Sequence, residues 1–156
     1  MLQKPVPDLE LSGTGNTRFR LSELRGVPIV LFFYPKDATP GCTSEAQQFR
    51  DLHDAFLAEG CHVFGISRDS LKSHENFKAK QALPFDLLSD GEEKACTLFD
   101  VIKMKNMYGK LVRGIERSTF VIDSTGVLRR EWRKVKVAGH AEEVLNFVVS
   151  LSHRQP

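Results

Sequence analysis

Cysteine is scarce in this chain. It occurs at three positions, 42, 61 and 96, and no two of these form a Cys-x-x-Cys. An odd count without framework spacing argues against a disulfide-stapled secreted scaffold. The missing Cys-x-x-Cys argues against a zinc or iron–sulfur centre. The histidines, His53, His62, His74, His140 and His153, show no close ligand pairing, and the first three read as surface or boundary positions. No glycine-rich loop follows a strand, so no nucleotide cofactor is implied. Charge of one sign is lacking too: the net charge is +2. The most basic stretch, Arg129 to Lys136, alternates with apolar residues and reads as a solvated strand and loop rather than a nucleic-acid stripe. No apolar run approaches a membrane span, and Met1–Pro7 lacks the apolar core of a signal peptide. No repeat, low-complexity tract or linker divides the chain. These absences predict one domain over residues 1–156, reduced and cytoplasmic, with no metal, organic cofactor, nucleic acid or membrane partner.

What is present is an alternation of short strands and helices. Asp8–Leu11 and Arg18–Leu21 alternate apolar and polar residues around the turn Gly13–Asn16. Ile29–Phe33 is apolar without alternation, as a central strand covered on both faces should be. Ala46, Phe49, Leu52, Phe56 and Leu57 recur at helical spacing, which predicts a helix from about Ser44 to Leu57, stopped by Gly60. Cys61–Ser67 reads as a second core strand, and Ser70 opens a helix to Ala82 that Pro84 cannot continue. A short strand at Phe85–Leu88 and a helix from Glu93 to Phe99 follow. Arg117–Asp123 and Val127–Trp132 read as a hairpin, and a last helix covers about Ala141 to Leu151. This order predicts an α/β fold, a mixed central sheet flanked by helices.

The most informative stretch is Tyr34-Pro35-Lys36-Asp37-Ala38-Thr39-Pro40-Gly41-Cys42-Thr43. It places Cys42 where a core strand gives way to a helix. The first turn of a helix offers unpaired N–H groups and the positive end of the macrodipole. Both favour thiolate, the reactive form of cysteine. A cysteine needed only for packing belongs inside the strand.

These residues resemble a peroxiredoxin of the bacterioferritin-comigratory, or Q-type, subfamily. The resemblance rests on Pro35, Thr39 and Cys42 in a Pro-x-x-x-Thr-x-x-Cys pattern. It extends through Gly65–Asp69, Leu88-Ser89-Asp90 and Gly114–Asp123. It implies a thioredoxin-like fold and thiol-dependent reduction of hydrogen peroxide and organic hydroperoxides. It implies a monomer as well, with Cys42 as nucleophile. Thr39, which local sequence alone leaves equally as a helix cap, becomes a substrate contact, and Pro35 shapes and shields the pocket. Arg117, otherwise an ordinary strand-end arginine, becomes the group that favours the thiolate and steadies the peroxide oxygens. Pro40 and Gly41 let backbone pass close to the site, where the amides of Gly41 and Cys42 are placed to bind a peroxide oxygen. Glu45 keeps two readings, a partner for Arg117 or an exposed helix position.

The chain departs from the subfamily where the oxidised sulfur must be resolved. The two usual resolving positions are Gln47 and about Lys78. The reading is therefore a one-cysteine peroxidase whose sulfenic acid is reduced by an external thiol, such as thioredoxin, glutaredoxin or glutathione. Two alternatives stand beside it: Cys96 as resolving residue, against its structural reading as a helix position packed on the core, and a non-enzymatic thioredoxin-like binding module. Cys61 reads as structural.

Overall fold

A computed structural model describes residues 1–154; the last two residues of the expected 1–156 domain lie outside the described residues. The chain opens with an antiparallel pair, β1 (Glu10–Gly13) and β2 (Thr17–Arg20), and one 3-10 turn at Leu21–Leu24. Next come β3 (Ile29–Phe33), α1 (Pro40–Asp51), α2 (His53–Ala58), β4 (His62–Ser67), α3 (Leu71–Gln81), β5 (Leu87–Ser89) and α4 (Lys94–Leu98). A two-stranded ribbon, β6 (Ile102–Met107) and β7 (Lys110–Ile115), precedes β8 (Ser118–Ile122), β9 (Leu128–Trp132) and α5 (His140–Arg154).

Seven strands form the central sheet in the order β2-β1-β5-β4-β3-β8-β9. The pairs β3–β4 and β4–β5 are parallel and the others antiparallel. The strand β3 is buried along its whole length, which explains its unbroken apolar sequence. Its alternate residues serve two cores. Ile29, Leu31 and Phe33 join α4, Phe99 and Ile115 on one face. Val30 and Phe32 join α1, α2, α3 and α5 on the other.

Two expectations change. The first helix begins at Pro40, not Ser44, because proline at the first helical position already has the helical φ. It does not run unbroken to Leu57: Leu52, at φ −101° and ψ 4°, separates α1 from α2. Cys42 thus lies within the first turn of α1. The helix α3 follows its sequence closely. The Ser70 hydroxyl accepts from the Ser73 amide at 3.2 Å, and Ala82 leaves the helix at φ 52°.

Candidate active site

The parallel strands β3 and β4 point their C-terminal ends towards the same edge, where the chain leaves Phe33 and reaches α1 through residues 34–39. The first helical backbone bond is donated by Thr43 to the Thr39 carbonyl, at 2.8 Å. The amides of Gly41 and Cys42 precede it and have no acceptor within the helix. Cys42 is 1% exposed, so its sulfur works at low dielectric, beside the positive end of α1. Thr39 occupies the cap position, but its hydroxyl does not cap. It donates to the Lys36 carbonyl at 2.8 Å. That engages the hydroxyl proton and leaves the oxygen as an acceptor for an incoming O–H. Pro35 is half-buried at the start of this loop.

Arg117 arrives from the other side of β3. The antiparallel pairing of β8 sets Ser118 opposite Phe33, which carries Arg117 to the end of β3 where the Cys42 loop departs. One guanidinium nitrogen, Nη2, lies 3.4 Å from Cys42 Sγ, and the other, Nη1, donates to Glu45 Oε1 at 2.7 Å. A Cβ on Gly41 would meet Nη2 at 3.1 Å, so glycine lets the guanidinium pass the backbone. Glu45 is buried, and its second oxygen has no partner among the described residues. Burial pushes its carboxyl up to about 7, with the Arg117 charge and hydrogen bond only partly opposing. A neutral Glu45 leaves the Arg117 charge directed at sulfur. Of the two readings of Glu45, the structure takes the arginine partner.

Beneath the loop lies a buried network that sequence reasoning missed. His74, read as a surface or boundary residue, has no exposure. Its Nδ1 lies 2.7 Å from Asp37 Oδ2 and its Nε2 lies 3.0 Å from the Leu88 carbonyl. Both ring nitrogens face oxygens, so the ring links the Asp37 carboxylate to β5. Asp37 also accepts from Tyr34 at 2.6 Å and Ser73 at 2.8 Å. Burial raises the Asp37 carboxyl, but the hydrogen bonds of His74 and Tyr34 and the His74 charge outweigh it, and the net shift is downward. The Asp37 amide donates to Asp69 Oδ2 at 2.9 Å. Asp37, Asp69 and His74 bring ligand atoms within 4.8 Å of one another, yet these contacts are those of a hydrogen-bonded network fixing the loop. The signal was present: His74 falls in the same helical row as Leu71, Phe77 and Lys78.

The other thiols lie elsewhere. Cys96 belongs to the core on the opposite face of the sheet from Cys42. Burial, then a hydrogen bond to Asp90, pushes its thiol far up. Cys61 precedes His62, which pairs with Ile29. It therefore sits at the far end of β3, about 13 Å of strand from Phe33. Burial raises its thiol to about 12.

The AhpC/TSA family model matches residues 2–131. The chain belongs to that family. Among curated proteins it is 55% identical over 138 residues to peroxiredoxin Bcp of Xanthomonas campestris, covering 88% of this chain and 86% of the relative. It is 50% identical over 149 residues to peroxiredoxin Bcp of Bacillus subtilis, covering 96% and 95%. Among solved structures it matches the bacterioferritin comigratory protein of Xanthomonas campestris, studied for alkyl peroxide reduction, at 51% identity. That match has a TM-score of 0.88 and covers 92% of both chains. A mutant of Xylella fastidiosa PrxQ matches at 43% identity and TM-score 0.89, covering 99% of both. The fold is thioredoxin-like, as the resemblance implied, and this peroxiredoxin is a thiol-dependent peroxidase. Its substrates are a peroxide and a thiol reductant. Among the described residues no helix is long and apolar enough to cross a membrane.

Proposed function

We propose that Cys42 is the peroxidatic nucleophile, and that this peroxiredoxin turns over on that one cysteine with an external thiol. The observation carrying the first part is the Arg117 guanidinium held between Cys42 Sγ and Glu45. A cation against sulfur favours the thiolate and lies where charge develops on the departing oxygen. The peroxide hydroxyl donates to the Thr39 oxygen. The amides of Gly41 and Cys42, with Arg117, hold the peroxide oxygens in line with sulfur, and Pro35 shields the mouth from bulk water. The Cys42 thiolate attacks one peroxide oxygen as the O–O bond breaks. The second oxygen leaves with the bonding pair, takes up a proton and departs as water or alcohol, leaving sulfenic acid on Cys42.

An external reductant is favoured because the sheet stands between Cys42 and Cys96. Buried thiols shifted upward supply little thiolate to attack a sulfenic acid. An external thiol would displace water from the sulfenic acid to form a mixed disulfide. A second thiol would then release the Cys42 thiol and a disulfide of the reductant. Three free thiols suit a reducing cytoplasm, and the subfamily resemblance favours a monomer.

Mass spectrometry after one equivalent of peroxide tests the proposal. Sulfenic acid confined to Cys42, and trapped by dimedone, is the expected product. A Cys42–Cys96 disulfide, or oxidation sparing Cys42, would overturn it.

A further inference from the structure

The ribbon formed by β6 and β7 stands outside the central sheet and shows water much of its apolar surface. Met104 is 59% exposed, Met107 50%, Leu111 72% and Val112 43%. At the tip, Tyr108 is fully exposed and sits at φ 53° beside Gly109 at φ 81°.

The register assigns the faces. Lys105 pairs with Val112 and Met107 with Lys110. Directly opposed residues share a face, as do alternate residues along a strand. One face therefore carries Lys103, Lys105, Met107, Lys110 and Val112. That face borders the Cys42 site. The Lys105 ammonium donates to the Ile115 carbonyl at the ribbon's foot, two residues before Arg117 in the chain. Burial, then the nearby Arg117 charge, holds the ammonium below the usual lysine range, while Glu116 and the Cys42 sulfur oppose that shift. The other face carries Arg113, which binds Glu93, beside the exposed Met104 and Leu111. On the first face Lys103 is paired with Asp100 at 3.2 Å, so Lys105, near the site, and Lys110, near the tip, are the cations it offers. Residues 102–115 contain four cations and no Asp or Glu. Two copies of this ribbon would repel one another, whereas an acidic surface with apolar residues at its centre complements it.

We infer that the Lys105–Lys110 face of the ribbon, with Met107 and Val112, is the docking surface for an acidic protein thiol that reduces oxidised Cys42. The inference rests on the external-thiol reading above. A partner seated there would bring its thiol to the mouth of the site from the side of Arg117. Its encounter would be steered by the lysines.

The test compares the wild type with the double variant Met107→Ser/Lys110→Glu. Lys110 lies about 17 Å of strand from the ribbon's foot, so the peroxide step serves as an internal control. Each protein is oxidised with one equivalent of hydrogen peroxide, and recovery of the Cys42 thiol is followed in two arms. One uses a thioredoxin of net negative charge, kept reduced by its reductase, and the other uses dithiothreitol. The variant is expected to slow recovery by thioredoxin about tenfold and to weaken its dependence on salt. Sulfenate formation and recovery by dithiothreitol stay at the wild-type rate. Equal recovery of both proteins by thioredoxin overturns the docking surface. The external-thiol reading fails separately, and the surface with it, if the oxidised protein holds a Cys42–Cys96 disulfide before any thiol is added.

Discussion

At the scale of single residues, the site depends on where one guanidinium directs its charge. Glu45 and Cys42 compete for Arg117. Burial keeps Glu45 protonated up to about pH 7, and above that its carboxylate draws the arginine's charge away from sulfur. The pH profile of Cys42 oxidation by peroxide should therefore carry an inflection near 7. Glu45→Gln should remove that inflection, read by stopped-flow measurement of the second-order rate constant. An unchanged profile would mean that Glu45 does not share Arg117 in solution. Gly41→Ala is a second probe. Its Cβ would meet Nη2 at 3.1 Å, moving the guanidinium by a few tenths of an ångström. Peroxide reactivity should fall severalfold with little loss of stability, measured by the same oxidation assay and a melting curve.

At the scale of elements, the loop carrying Thr39 is held by groups that take no part in the chemistry. Asp37 is tied to α3 through His74 and Ser73, and to β5 through the His74 contact with Leu88. His74→Leu would leave the buried Asp37 carboxylate without its hydrogen bond to the ring, a loss of about 1–3 kcal/mol. Urea titration should show that loss, and His74→Gln, which keeps a donor, should recover part of it. A midpoint unmoved in His74→Leu would show that the network is not supporting the loop.

The elements also show what sequence could reveal. Ile29–Phe33 was legible because burial on both faces writes a continuous apolar run. The helix α3 was legible through its cap, its apolar row and Pro84. The ribbon leaves little trace in the sequence. Its lysines and methionines pack against no core, so burial imposes no pattern on them. Its one signal is the pair Tyr108-Gly109, whose positive φ values match the two-residue turn of a hairpin. The α1 helix starts four residues before Ser44, a start hidden in sequence because Pro40 and Gly41 carry turn chemistry.

At the scale of the whole molecule, the central sheet separates Cys42 from Cys96, and a buried histidine couples stability to pH. Cys42 and Cys96 can be ranked as residues from sequence, but only strand order shows them on opposite faces. Arg117, Thr39 and Pro35 are singled out by the family pattern alone. Local sequence gave Arg117 nothing to distinguish it from the other arginines, since its closeness to Cys42 arises from β8 pairing with β3. His140, packed between Phe49 and Trp132, is held neutral: burial lowers it from 6.5 to about 4. The unfolded chain binds that proton first as pH falls. Stability should therefore be intact above about 6.5 and decline between 6.5 and 4, by about 3 kcal/mol in total from this group. Denaturant unfolding at pH 7 and pH 5 should show the decline in the wild type and a smaller one in His140→Gln. Equal declines would assign the acid sensitivity to other groups.

The central claim is that Arg117 makes the Cys42 sulfur a peroxide-cleaving nucleophile. Single-turnover stopped-flow oxidation of the reduced protein by hydrogen peroxide, wild type against Arg117→Ala, tests it most directly. The second-order rate constant should fall about 10²–10³-fold, the loss expected when one preorganised donor to developing charge is removed, with mass spectrometry showing Cys42 fully reduced before peroxide is added. A variant that reacts within about threefold of the wild type would contradict the account.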